Sequence, residues 1–465
     1  MSIFSAVLFG GCATTFESPN LATLYDQSAQ HHDPWRNPII VIPGILGSKL
    51  VDPETGQIVW GAFGGGAANP RKPEGARSIA LPMEEGKSFE SLRDNIVSDG
   101  ALDRIKVKLF GLPFQLDAYF YILSTLGIGG YRDELLGSLG AIDYGDDHFT
   151  CFQFDYDWRR DNVENAKLLH AFMLEKRAYV RAEIKQRYGI DNPDIKFDVV
   201  THSMGALVLR YMLRYGDADL PDDGSNPEIT WTGAHLVERA ILVSPPNAGT
   251  TETFVQMLKG VRFSVLLPKY EPALIGTFPS LYQLLPRARH GALISEETGV
   301  ALDILDPALW ESEGWGLASP DQDRVLKFLL PNVKNASERR RIALDHLRKS
   351  LDRARQFHAA LDRPASPPDG LELYLVAGDA VMTAAVVSVG GTDPFIEVME
   401  ERPGDGTILR SSALMDERLG GDWTPILQSP IAWRNVNFVF KDHLGITSDH
   451  NFTDNLLYLL LESQR

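Results

Sequence analysis

The chain has 465 residues, 44% of them apolar and 23% charged, with 40 Gly and 28 Pro. This composition suits one enlarged globular core carrying insertions and argues against wholesale disorder. Lys and Arg total 45 against 62 Asp and Glu, a formal charge of −17. Such a surface repels phosphate backbones, so no nucleic-acid partner is expected, and any membrane contact should be apolar or covalently anchored.

In chain order, the first feature is the short apolar stretch Ile3 to Phe9, followed by Gly10-Gly11-Cys12-Ala13. Small residues before a Cys, after an apolar run, resemble a bacterial lipoprotein processing site, with Cys12 as the lipidated residue. Residues 1–36 therefore read as a lipoprotein-type signal and linker, and the expected location is a bacterial cell envelope on a lipid anchor, otherwise secreted or periplasmic. Cys151, the other cysteine, reads as a buried, inert residue of a strand.

Residues 37–465 read as one α/β domain. Six apolar runs suggest a mostly parallel sheet with flanking helices: Ile39 to Ile42, Cys151 to Phe154, Phe197 to Val200, Ala240 to Val243, Leu371 to Val376 and Val436 to Phe440. Helices are expected over Asn162 to Tyr188, stopped by Gly189, and Ala206 to Tyr215, stopped by Gly216. Two stretches, about 60–139 and 253–363, break this rhythm and read as inserted cap or lid segments. The second holds the apolar Val261 to Leu285 and a helix in which Leu344, Leu347, Leu351, Ala354, His358 and Leu361 recur at three- and four-residue steps, its arginines expected in solvent.

The strongest local signal is Thr201-His202-Ser203-Met204-Gly205, set between an apolar strand and a helical run. A nucleophile elbow requires that context: a sharp turn that lifts a serine hydroxyl above a sheet. A serine needs a base, and the base an orienting acid, which in such folds follow it in the order Ser, acid, His. Asp405, in Gly404-Asp405-Gly406-Thr407, is the candidate acid, with Asp379 as its rival. His443, just past the final strand, is the candidate base, with His450 as its rival. An oxyanion hole would use the backbone N–H of Met204 and one from the turn Pro43-Gly44-Ile45-Leu46-Gly47-Ser48, with Ile45 the candidate.

Pro43 to Ser48, Asp155-Tyr156-Asp157-Trp158-Arg159, His202 to Gly205, Pro279-Ser280-Leu281-Tyr282-Gln283-Leu284-Leu285-Pro286 and Gly404 to Thr407 occur in that order. Together they resemble the lecithin–cholesterol acyltransferase family. The resemblance implies an α/β-hydrolase core with cap and lid, no metal, no cofactor and an acyl-serine intermediate. It also favours Asp405 over Asp379 and puts an oxyanion N–H at Ile45. Asp155 stands where the family usually has Pro, and the cap is not recognisably the family's. Asp157, Trp158 and Arg159 read as structural, a buried ion pair holding the loop.

The expected function is hydrolysis or transfer of an acyl group from a lipid ester, of phospholipase or lipase type, with water or an alcohol as acceptor. The alternative is a catalytically idle hydrolase fold serving as a lipid-binding or envelope interaction module, against which stands the presence of Ser203, Asp405 and His443 together. A metallohydrolase is disfavoured: no His-Glu-x-x-His occurs, and His31-His32-Asp33 precedes the first core strand.

Overall fold

The structure is a computed structural model that describes residues 18–31, 34–62, 67–101, 105–109, 112–116, 119–137, 148–263, 267–390 and 395–464. Cys12, and the His32 and Asp33 of the linker, lie outside the described residues.

Six strands form the main sheet: β1 (Ile39–Ile42), β2 (Cys151–Gln153), β3 (Phe197–His202), β4 (Val237–Val243), β5 (Glu372–Gly378) and β6 (Trp433–Val439). Their order is β6-β5-β4-β3-β1-β2, and every neighbouring pair is parallel. All four residues of β1 and all six of β3 are buried. Strands covered on both faces read as unbroken apolar runs, which is why these segments stand out in the sequence. The chain leaves β1 toward β2 on one side and returns to β3 on the other. Open parallel sheets carry their sites beyond the carboxyl ends of the strands at such a reversal. This is an α/β-hydrolase fold.

Helices cover the sheet. α1 (Asn162–Tyr188) is capped by the Asp161 side chain, which accepts from the Val163 N–H, and ends at Gly189 with φ +68°. α2 (Gly205–Tyr215) is buried at every residue. α3 (Ala336–Asp362) packs through Leu347, Leu351, Ala354, Phe357 and Leu361. The last carbonyls of α3 are met from α2: Arg210 donates to Leu361 O at 2.9 Å and Tyr215 to Ala360 O at 2.8 Å. Those helix-end groups would otherwise be orphaned in the interior. One expectation fails here. Arg339 of α3 is not in solvent; it is buried, pairs with Asp323 at 2.7 Å and donates to the Val333 and Lys334 carbonyls.

The stretch 60–139 holds the strand Val97–Ala101, which pairs with Ser48–Val51, and the helix Phe120–Ile128. In the stretch 253–363, Leu274, Tyr282, Trp310 and Leu351 belong to the same continuous core as β1 and β3. The antiparallel hairpin Val381–Val389 and Ile396–Gly404, joined by Leu293–Ser295, forms a separate small sheet that follows β5. No helix among the described residues is long and apolar enough to cross a membrane. Cys151 is a buried free thiol, pushed well above its ordinary range by burial and then by the neighbouring Asp133.

Candidate active site

Ser203 follows β3 directly, with only Met204 between it and α2, and has φ +52°. A non-glycine residue held in that region is strained and must be supported by its surroundings. The Ser203 N–H bonds to Val243 O of the neighbouring strand at 2.9 Å. A Cβ on Gly205 would fall inside contact distance of the Pro43 carbonyl oxygen, so only glycine lets helix and strand turn pack so closely.

Three side chains meet here from distant parts of the chain. His443 Nε2 lies 3.1 Å from Ser203 Oγ, and His443 Nδ1 lies 2.8 Å from Asp405 Oδ2. The second Asp405 oxygen accepts the N–H groups of Thr407 at 2.9 Å and Ile408 at 2.6 Å. Burial alone would raise the Asp405 carboxyl, but the bond and charge of His443, with the two backbone donors, hold it below its ordinary value. The His443 N–H also donates to Asp405 O at 2.9 Å. Gly378, at the end of β5, makes room for this carboxylate: a Cβ there would stand 2.6 Å from the Asp405 Cβ.

The rival residues lie elsewhere. Asp379 pairs with Arg410 at 3.0 Å. His450 opens the terminal helix α4 (His450–Leu461), exposed beside the capping Asp449.

The turn after β1 rests against the elbow, with Gly44 backed onto Ser203 and His202. Among the described residues, neither the Ile45 nor the Met204 N–H is taken by a carbonyl. The turn is held from behind by Asp155 to Arg159. Tyr156 Oη donates to Pro43 O at 2.9 Å, and Trp158 Nε1 to Ser48 O at 3.2 Å. Arg159, with no exposed surface, bonds Asp157 at 2.6 Å, Asp94 at 2.9 Å and the Ile79 carbonyl at 3.0 Å. Ser280 donates to Trp158 O at 2.6 Å, and Gln283 Nε2 to Asp161 at 2.6 Å. The five sequence motifs are thus one interlocked assembly.

Two participants carried no assigned role in the sequence. His202 was visible only as part of the elbow motif. Tyr119, buried and 2.7 Å from the Gly44 N–H, lies in the cap-like stretch, where nothing marks it.

The α/β-hydrolase core together with the family match makes the chain an ester hydrolase or acyltransferase in general terms. Residues 122–310 match the family described as Lecithin:cholesterol acyltransferase, so the resemblance carried by the motifs is borne out, and lipid esters are the substrate class that this family suggests. The matched span holds Asp155 to Arg159, the elbow and Pro279 to Pro286, while the β1 turn and the Asp405 turn lie outside it. No curated protein matches the chain. Among solved structures, a chain of the Tle4–Tli4 complex is 15% identical with a TM-score of 0.54, covering 92% of this chain and 98% of that one, a likeness of fold. Lipase 1 from Pelosinus fermentans is 12% identical with a TM-score of 0.34, covering 92% of this chain and 100% of that one. EstA from Clostridium botulinum is 12% identical with a TM-score of 0.34, covering 92% and 88%.

Proposed function

We propose that the protein is a serine hydrolase or acyltransferase of lipid esters that works through an acyl-Ser203 intermediate. The observation that carries this reading is the alignment of Asp405, His443 and Ser203, with contacts of 2.8 and 3.1 Å. His443 Nε2 takes the hydroxyl proton as Ser203 Oγ attacks the ester carbonyl, and ionised Asp405 keeps Nδ1 protonated and stabilises the imidazolium. The Ile45 and Met204 N–H groups receive the oxyanion. His443 then protonates the leaving alkoxide. In the second half-reaction it deprotonates water or an acceptor alcohol, which attacks the acyl-serine. Tethering at a bacterial envelope through Cys12 belongs to the same proposal and rests on the N-terminal motif.

The test is labelling by a fluorophosphonate, followed by a panel of p-nitrophenyl esters, phospholipids and triglycerides with and without an alcohol. Labelling at Ser203 and turnover lost in Ser203→Ala are expected. An unlabelled wild-type protein that still binds lipid would favour the idle module.

A further inference from the structure

Ser203 is flanked on one side by the β1 turn and on the other by the His443 loop. Both are tied to one buried pair. The Gly44 N–H donates to Tyr119 Oη at 2.7 Å, Tyr119 Oη lies 3.2 Å from His202 Nδ1, and His202 Nε2 lies 3.0 Å from the His443 carbonyl oxygen. Tyr119 is 3% exposed and His202 2%, so water does not compete for these links.

The ends of this chain fix its protons. A peptide N–H can only donate and a carbonyl oxygen can only accept. His202 must therefore donate through Nε2–H, leaving Nδ1 to accept the Tyr119 hydroxyl proton, while the Tyr119 oxygen accepts from Gly44. The neutral ring satisfies every link. A protonated ring would present Nδ1–H to the tyrosine oxygen and take away the acceptor of its hydroxyl proton, and its ring centroid lies 4.7 Å from that of His443. Burial, and then the nearby His443, push the His202 imidazole down to about 3, in keeping with the neutral form.

We infer that His202 and Tyr119 are positioning residues, a three-bond relay that holds the His443 loop and the oxyanion turn in fixed register on either side of Ser203. The inference rests on the reading of Ser203, His443 and Asp405 as the reacting groups. Gly44 immediately precedes Ile45, so the relay fixes the peptide that presents an oxyanion donor. Its other end grips the carbonyl of the base residue itself. Asp405 orients the imidazole from one side, and His202 restrains the backbone that carries it. Neither relay residue need touch substrate.

The experiment uses the full chain with Tyr119→Phe, His202→Asn, the double variant and His202→Gln. The readouts are kcat and KM on a short p-nitrophenyl ester, the second-order rate of fluorophosphonate labelling, and the melting temperature. Tyr119→Phe removes one oxygen, and His202→Asn removes the donor to His443. Each should lower kcat and the labelling rate roughly 10- to 100-fold, the scale of a small displacement of catalytic groups, with KM changed by less than about threefold. The double variant should be little worse than the poorer single variant, because one chain is broken either way. His202→Gln, which keeps a donor near the Nε2 position, should recover part of the loss. If the His202 variants do not fold, Tyr119→Phe decides alone. Wild-type kcat and labelling in Tyr119→Phe, fully additive losses, or a loss confined to KM would overturn the relay while Ser203 labelling of the wild type kept the functional reading intact. Absence of labelling in the wild type would sink the functional reading instead.

Discussion

A Cβ on Gly44 would stand 2.8 Å from the Cβ of Ser203 and 3.1 Å from the carbonyl oxygen of His202. Neither neighbour is the free end of a long side chain, so neither can yield cheaply. Gly44→Ala should therefore push the oxyanion turn off the elbow. A drop in kcat on a short ester of about 10- to 100-fold is expected, with slower fluorophosphonate labelling. Wild-type kinetics in that variant would show that the turn and elbow are not coupled.

The proposed assignment of the base rests on contacts that, among the described residues, one histidine makes. His443 bonds both Ser203 and Asp405, whereas His450 sits exposed at the first turn of α4. His443→Ala should lower kcat by roughly 10⁴-fold, the loss expected when a triad keeps only binding and oxyanion stabilisation. His450→Ala should change it by less than about tenfold. An exchange of these two outcomes would reassign the base and leave the fold untouched.

Strands such as β1, β2 and β3 were legible because a parallel sheet buries both faces, so each is an apolar run, whereas the edge strand β6, buried only at Val439, was legible through the alternation of Val436, Phe438 and Phe440. The hairpin Val381–Val389 and Ile396–Gly404 was not: its second strand, Ile-Glu-Val-Met-Glu-Glu-Arg-Pro-Gly, is mostly exposed, and its pairing is set by the partner strand. Yet this hairpin delivers Asp405. Burial of Arg339 was hidden for a similar reason, since its partner Asp323 comes from a separate helix, Asp323–Leu329. Tyr119 reaches His202 across 83 residues, and no local pattern encodes that meeting. Motif order, by contrast, pointed to Ser203, Asp405 and His443, because each stands in a turn whose glycines or strand end are themselves visible.

The apolar stretch Val261 to Leu285 divides in two. Residues 272–285 are buried in the core, while Phe263 is 42% exposed and Leu267 half-buried; Leu266 lies outside the described residues. The Phe263 ring sits 5.1 Å from Trp60, whose Nε1 donates to Leu46 O in the β1 turn at 2.8 Å. On the proposed function, an exposed aromatic so linked to the turn is predicted to meet an acyl chain. Phe263→Ser should remove about 1–2 kcal/mol of apolar contact, roughly five- to thirtyfold in kcat/KM, on long-chain aggregated esters and much less on short soluble ones. Equal losses on both, with a lowered melting temperature, would assign Phe263 to packing.

Cys12 is predicted to carry a lipid anchor. Cys12→Ala should move the protein from the membrane fraction to the soluble one while leaving turnover of soluble esters unchanged, as fractionation and assay together would report. Unchanged partition would remove the anchor from the proposal.

The last prediction concerns acid stability. His346 and His358, both buried on α3, place Nε2 3.1 Å from Thr277 O and 2.9 Å from Gln283 O, while each Nδ1 is buried with no partner among the described residues. A second proton would have to reside on that unpartnered nitrogen. Burial, aided by Lys349, lowers His346 to about 4; burial, aided by Arg287, lowers His358 to about 3. The ordinary value is 6.5, so above that pH both states are neutral and these residues add no pH dependence. As pH falls below 6.5, the unfolded chain takes up protons that the native state refuses until about 4 and 3, and stability is lost through that interval. Each residue contributes a slope of roughly 1 kcal/mol per pH unit, and between about pH 6 and 5 most carboxylates are not yet titrating. His358→Gln removes one titrating site at nearly constant volume. It should flatten the decline of unfolding free energy across that interval by about one proton's slope, as urea titrations at several pH values would measure. An unchanged slope would mean that His358 takes up its proton in the native state.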